Sequence, residues 1–210
     1  MLIIGAKGFA KEVLEIFCQN NCSKNIAFYD DINTDIGNFL YDKFPIFKNE
    51  NQVKDFFAKF GNEFTIGIGN PFLRYKMFQK FSNLGGVFSN SISCHSQIGS
   101  YDVEIGIGTN ILPNAVISNS VKIGMGCIVY YNVIITHDCK VGNFVELSPN
   151  AILLGRTDVG DFSHIGANAT ILPDIKIGKN VIVGAGAVVS KDLPDNCLAV
   201  GIPAKIIKQN

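Results

Sequence analysis

The sequence carries no excess charge of either sign. Its 210 residues hold 18 Lys plus Arg against 18 Asp plus Glu, a formal net charge of zero. A balanced chain has no broad surface for nucleic acid or for an anionic membrane, so neither is expected as a partner. The apolar run at the N-terminus, Met1–Ile4, is cut off by Gly5 and Lys7. That is too short for a membrane span or a signal peptide. Histidine is scarce, with only His95, His137 and His164, and no two stand at an H-x4-H or H-x-x-x-H spacing. A zinc site, and a resident metal altogether, is therefore not expected. The six cysteines (Cys18, Cys22, Cys94, Cys127, Cys139 and Cys197) include no Cys-x-x-Cys pair. A reduced, cytoplasmic setting fits this usage best.

What the chain has instead is a repeat. From Ile105 every sixth residue to Val189 is Ile, Val or Leu, 15 positions without a polar one. Four residues after each of the first 14 stands a residue such as Thr109, Ala115, Cys127, Cys139, Ala151, Ser163 or Ala187. These are small, β-branched or thiol-bearing. A helix would repeat at 3.6 and a plain strand at 2. A strict period of six means short strand, corner, short strand, with one large and one small inward residue per strand. Three hexads close a triangular coil of 18 residues, and five coils stack. Three inward columns follow, begun by Ile105, Ile111 and Ile117. Cys127 and Cys139 fall on the small inward position and should behave as small hydrophobes. No hexad can bury its face alone, so the array should fold as one rod.

The N-terminal part has another pattern. Leu2–Ile4 reads as a buried strand, and Gly5-Ala6-Lys7-Gly8-Phe9-Ala10 as a turn opening a helix with Val13, Leu14, Ile16 and Phe17 inward. Ile26–Tyr29 reads as a second strand, ending in Asp30-Asp31. Such a βαβ start offers backbone N–H groups at a helix N-terminus to phosphates. Asp30 lies 22 residues after Gly8, about where these folds place a ribose-binding acid. Residues 32–63 are least informative, apart from a short amphipathic helix at Val53–Phe60. Phe64–Ile68 reads as a third parallel strand, Asn70-Pro71 as the cap and first residue of a helix to about Phe81, and Val87-Phe88 as a last strand. Gly5, Asp30 and Gly69 would share the carboxyl edge of one small sheet, where open α/β sheets bind ligands. The domain is small, which favours a mononucleotide. Residues 1–88 are thus expected to form a Rossmann-like α/β domain, and residues 89–210 an all-β parallel β-helix with a C-terminal tail.

Of the three histidines, His95 reads as structural or surface and His164 as a packing or interface residue. His137 differs. In Thr136-His137-Asp138-Cys139 it falls at or near a corner, between inward Ile135 and Cys139. Neighbours on a flat strand point to opposite faces, so only a bend lets Asp138 reach His137. A carboxylate there fixes the tautomer and raises the imidazole's basicity. One coil on, 18 residues later, Gly155 leaves a ligand room and its N–H could approach a carbonyl closely.

Taken together, Gly5-Ala6-Lys7-Gly8, Tyr29-Asp30-Asp31, Ile68-Gly69-Asn70, His137-Asp138-Cys139 and the ending Gly201-Ile202-Pro203-Ala204-Lys205 resemble the bacterial sugar acetyltransferases of the hexapeptide-repeat superfamily. That group includes N-acetyltransferases of nucleotide-linked 4-amino-4,6-dideoxy sugars and proteins called sialic acid O-acetyltransferases. The resemblance implies a left-handed coil, whereas the general rule for parallel crossovers would favour the right hand. It implies a homotrimer with acetyl-CoA between adjacent rods. By resemblance His137 is the general base and Asp138 its supporting acid. Glu146, Gly155, Ala167 and Ala185 lie near the coenzyme or acetyl group. Ala6, Lys7, Gly8, Phe9, Asp30, Asp31, Gly69 and Asn70 match the nucleotide-sugar site. The sequence departs from the family at Phe9 and Glu146, where many members have His, and at Tyr130-Tyr131, which replaces a frequent Asn-Thr. Asp138 replaces a frequent Glu.

The expected function is acetyl transfer from acetyl-CoA to the amine of a nucleotide-linked 4-amino-4,6-dideoxy sugar, in surface glycan or glycoprotein sugar biosynthesis. O-acetylation of a sialic-acid-like sugar is the alternative in the same class. A non-catalytic nucleotide-sugar-binding scaffold is the alternative in another.

Overall fold

The structure, a computed structural model, describes residues 1–209. The chain forms two compact units that meet in sequence between Cys94 and His95.

The first unit is a six-stranded sheet with helices. It runs β1 (Leu2–Ile4), α1 (Gly8–Gln19), β2 (Ala27–Tyr29), a 3₁₀ turn (Thr34–Ile36), β3 (Phe39–Leu40), β4 (Phe44–Phe47), α2 (Glu50–Phe60), β5 (Glu63–Ile66), α3 (Pro71–Asn83) and β6 (Val87–Phe88). The strand order is β3-β4-β2-β1-β5-β6, all parallel except β3. Strand β1 therefore lies inside the sheet, and all three of its residues are buried. Helix α1 buries Ala10, Val13, Leu14 and Phe17, the stripe of a helix lying on a sheet. Gly67 is needed where the helix meets the end of β5, since a Cβ there would stand 2.5 Å from the Ala10 Cα.

The chain steps from β1 to β2 and β4 on one side, then crosses to β5 and β6 on the other. The order reverses between β1 and β5, and such a switch point opens a crevice at the carboxyl ends of the strands. The β3–β4 hairpin is not evident from the sequence. Pro45 demotes a strand by pattern, yet here it stands opposite Phe39 on a short antiparallel arm while Ile46 pairs with Phe28. Tyr41 and Asp42 both take positive φ, 54° and 52°, as a tight hairpin turn requires.

The second unit is a triangular parallel β-helix of two-residue strands in three sheets. The first sheet stacks Glu104–Ile105, Lys122–Ile123, Lys140–Val141, Asp158–Val159 and Lys176–Ile177. The second includes Asn110–Ile111, Ile128–Val129, Glu146–Leu147, His164–Ile165 and Ile182–Val183. The third stacks Gln97–Ile98, Val116–Ile117, Ile134–Ile135, Ile152–Leu153, Thr170–Ile171 and Val188–Val189. From Glu104–Ile105 to Val188–Val189 the register is 18 residues, as in Ile123↔Val141 and Leu147↔Ile165, while the entry strand Gln97–Ile98 pairs with Val116–Ile117 at 19. The second residue of each pair from Ile111 to Val189 points inward and is at most 4% exposed.

The corners follow the same period. Every sixth residue from Asp102 to Gly186, 15 in all, has φ between 52° and 71°. Asn, Asp and Gly tolerate this left-handed conformation best, and 11 of the 15 are one of them. The small inward residues also bond. Ser163 Oγ donates to the Gly178 carbonyl at 2.8 Å and Cys127 Sγ to the Gly142 carbonyl at 3.0 Å. Beyond Val189 the expected tail is an antiparallel pair, Cys197–Val200 with Lys205–Gln209, which extends the second sheet from Ile182–Val183.

Candidate active site

The corner between the third and first sheets holds His137. Ile134–Ile135 ends the strand before it, and the Thr136 hydroxyl donates to the Leu153 carbonyl of the next coil at 3.1 Å. The His137 carbonyl accepts from the Arg156 N–H at 3.1 Å. Asp138 takes the left-handed corner position, φ 61°. The turn swings its carboxylate back, and Oδ2 lies 2.6 Å from His137 Nδ1. A carboxylate on Nδ1 places the ring proton there and leaves Nε2 with a free lone pair. Arg156, one coil on at the same corner, turns to Asp174 (Nη2–Oδ2 2.8 Å) and not to Asp138. The hydrogen bond between them raises the Arg156 pKa and lowers that of Asp174. Both side chains of the dyad are about half exposed.

Gly155 lies under the imidazole. A Cβ on it would stand 2.7 Å from His137 Cε1 and 2.8 Å from Nε2. No other side chain could occupy that place without moving the ring. His137, Asp138 and Gly155 thus form one constellation.

The remaining expected coenzyme residues lie elsewhere on the rod. Glu146 is on the outer face of the second sheet, opposite this corner of the triangle. The sequence reading missed what it touches. His164, paired with it across the sheet, places Nε2 3.5 Å from Glu146 Oε1 and 2.8 Å from Ser148 Oγ. The available signal was the 18-residue interval from Glu146 to His164. Both partners sit on the same ring nitrogen, which is not the relay order of a Ser-His-acid triad. Ala167 and Ala185 stack at the corner between the second and third sheets, where the Gly186 N–H donates to the Ala167 carbonyl at 2.8 Å.

In the first unit a cavity of about 370 Å³ opens at the switch point. Ala6, Lys7, Gly8, Phe9, Asp30, Asp31 and Gly69 all line it, together with Ile68, Leu73, Met77, Ile32 and Asn33. Asn70 does not; its Oδ1 caps α3, accepting from the Leu73 N–H at 2.9 Å. The buried Arg74 guanidinium donates to the Gly69 carbonyl and so supports that turn. Phe9 packs one side against the core. Asp31 accepts from the Tyr29 hydroxyl at 2.7 Å and pairs with Lys80 at 3.3 Å. Burial alone would lower the Lys80 pKa and raise that of Asp31. Their bonds to Tyr29 and to each other outweigh it, so Lys80 is raised and Asp31 lowered. Asp30 is 7% exposed. Its oxygens accept from the Ala6, Ile32 and Asn33 N–H groups and twice from the Asn33 amide.

Residues 1–81 match the family model of the PglD N-terminal domain, and residues 156–191 that of the bacterial transferase hexapeptide (six repeats). PerB from Caulobacter crescentus, solved in complex with CoA and GDP-perosamine, is 30% identical over 99% of this chain and 96% of its own, with a TM-score of 0.87. The chain belongs to the hexapeptide-repeat sugar acetyltransferases. Two further members of the family are similar over nearly their whole length. WeeI from Acinetobacter baumannii is 30% identical, with 98% of each chain covered and a TM-score of 0.87. The acetyltransferase domain of PglB from Neisseria gonorrhoeae, in complex with acetyl coenzyme A, is 28% identical, with 98% of each chain covered and a TM-score of 0.88. Comparison with the curated proteins gives no match. The coil is accordingly the left-handed β-helix of this family. Among the described residues no helix is long and apolar enough to cross a membrane, and no three His, Cys, Asp or Glu side chains are grouped to hold a metal.

Proposed function

We propose that the protein transfers the acetyl group of acetyl-CoA to the amine of a nucleotide-linked 4-amino-4,6-dideoxy sugar, in the cytoplasm. The observation that carries this is the His137–Asp138–Gly155 corner. His137 Nδ1 is held by a carboxylate at 2.6 Å, its Nε2 is left to take a proton, and Gly155, with no side chain, gives the ring room to lie over the next coil. The sugar amine attacks the thioester carbonyl carbon. A C–N bond forms, the C–S bond breaks, and the amine proton passes to Nε2 while CoA leaves as the thiolate. Asp138 steadies the imidazolium, and the Gly155 N–H offers a donor to the developing oxyanion. No acyl-enzyme is needed. Ala167 and Ala185 leave room for the coenzyme, and Glu146 contributes a polar contact near it.

The pocket lined by Ala6–Phe9, Asp30, Asp31 and Gly69 takes the nucleotide, with Asn70 holding the turn through its cap. The α1 N-terminus has no acidic residue in its first turn and no side-chain cap, so the helix dipole there favours a phosphate. Two relatives support the reading: PerB was solved with CoA and GDP-perosamine, and the PglB domain with acetyl coenzyme A. The protein works as a homotrimer. On one rod His137 stands opposite the face that carries Glu146, so a second rod must supply that face to a shared ligand.

The test is a kinetic comparison of UDP-, dTDP- and GDP-linked 4-amino sugars with free sialic acid, following thiol release and acetylated product. A nucleotide-linked amine should be the preferred acceptor, and His137→Ala should lose at least ~10²-fold in kcat with acetyl-CoA affinity little changed. Preference for free sialic acid would select O-acetylation. Binding of both ligands without thiol release would leave the protein a scaffold.

A further inference from the structure

We propose that Asn33 takes the ribose 2′-hydroxyl of the nucleotide, making the pocket select ribonucleotide-linked over 2′-deoxyribonucleotide-linked sugars. The inference rests on the nucleotide reading above and adds to it a residue that sets specificity. Asp30 stands where a ribose-binding acid is expected, but five hydrogen bonds from its own chain occupy its oxygens. A carboxylate offers about four lone-pair sites, so little acceptor capacity is left for a ligand. Asp30 acts as a pin that sets the loop after β2.

Asn33 is what the pin holds. Its Nδ2 lies 3.0 Å from Asp30 Oδ1 and 2.9 Å from Oδ2. The opposite amide orientation would set Oδ1 against the carboxylate, so Nδ2 is committed to Asp30 and Oδ1 is presented as an acceptor. Asn33 occupies the N-cap of the 3₁₀ turn, yet its side chain makes no capping bond. The backbone position that usually uses an Asn oxygen has given it up. Oδ1 is not among the buried unpartnered atoms, and Asn33 lines the cavity, so its acceptor is reachable.

The placement points to the ribose. Two ties join this loop to the turn that opens α1: the Ala6 N–H to Asp30 Oδ2 at 3.3 Å, and Lys7 Nζ to Asp35 Oδ1 at 3.1 Å. Asn33 lies between Asp30 and Asp35 and is held beside that turn. A diphosphate at the N-terminus of α1 would bring the part of the nucleotide next to the phosphates, the ribose, to Asn33, which lines the same cavity. A hydroxyl donating to a fixed, partly buried acceptor is a contact that its deoxy analogue cannot make.

Matched pairs test this on the full chain: UDP against dUDP, and GDP against dGDP, by calorimetric titration. The protein should favour the ribonucleotide of the pair it binds by roughly tenfold. Asn33→Ala should bring that ratio to about one and leave the deoxynucleotide within about twofold of its original affinity. Retained deoxynucleotide binding also reports that the pocket is folded. Asp30→Asn, which removes the charge holding the Asn33 amide, should lower the ratio too. Equal binding of both members of each pair by the unaltered protein, or a ratio that survives Asn33→Ala, would overturn the assignment while leaving the nucleotide reading in place. No binding of any nucleotide, with transfer to a free sugar, would overturn both.

Discussion

Gly155 sits in a corner turn that does not require glycine; its φ lies outside the left-handed region, and an alanine would suit the backbone. What forbids a side chain is the imidazole, 2.7 Å from where a Cβ would stand. Gly155→Ala should therefore leave stability within about 1 kcal/mol, because the change is at an open corner. It should still lower kcat sharply, since a displaced base loses its near-attack geometry. Asp138→Asn should lose less than His137→Ala, with the loss in kcat and not in the KM for acetyl-CoA. Melting curves beside steady-state kinetics check both. Wild-type turnover in Gly155→Ala would mean that the ring does not act from its present position. The His137–Asp138 dyad and the stacked Gly155 were legible in the sequence because the six-residue period numbers every corner. Asn33, Ser148 and the Glu146–His164 contact were not. Asn33 lies in an aperiodic loop, where only the fold shows that Asp30 turns inward to it. Glu146 and His164 meet across the sheet at the 18-residue interval, which the period also numbers but which neither residue type singles out as a contact.

At the scale of the coil, one residue in six carries the inward column and another the left-handed corner. Ile165 is fully buried between Leu147 and Val183. Ile165→Asp would place an unpaired charge in a dry column and should cost about 4 kcal/mol or more. Lys140→Asp, on the exposed outer face of the first sheet, should change stability by no more than about 0.5 kcal/mol. Thermal melts followed by circular dichroism compare the two. Similar melting temperatures would contradict the assignment of inward and outward positions. The rod was legible because its signal repeats 15 times, so chance matches at single positions do not matter. The β3–β4 hairpin and the strands Cys197–Val200 and Lys205–Gln209 were not. Each occurs once and is short, so no repeat reinforces it. Pro45 even reads against a strand by local preference.

At the scale of the whole molecule, the three outer faces of the rod differ in kind. The first sheet presents Glu104, Lys122, Lys140, Asp158 and Lys176, charged throughout, with Lys122 paired to Glu104 at 2.8 Å. The third presents Val116, Ile134, Ile152, Thr170 and Val188. An apolar stripe running up one face of the rod calls for a cover, and a closed ring of copies provides one without leaving an open edge. The proposed chemistry needs the same partner, because one rod cannot bring His137 and the Glu146 face to a single coenzyme. Assembly and activity should therefore fail together. Light scattering at micromolar concentration should give three times the chain mass. Ile134→Lys, at a position 38% exposed in the single chain, should shift the protein toward monomer with its far-ultraviolet spectrum kept. Its kcat/KM should fall in proportion to the trimer lost, and raising the protein concentration should restore part of both. A monomeric wild type, or a monomeric Ile134→Lys with full activity, would sever the link between assembly and catalysis.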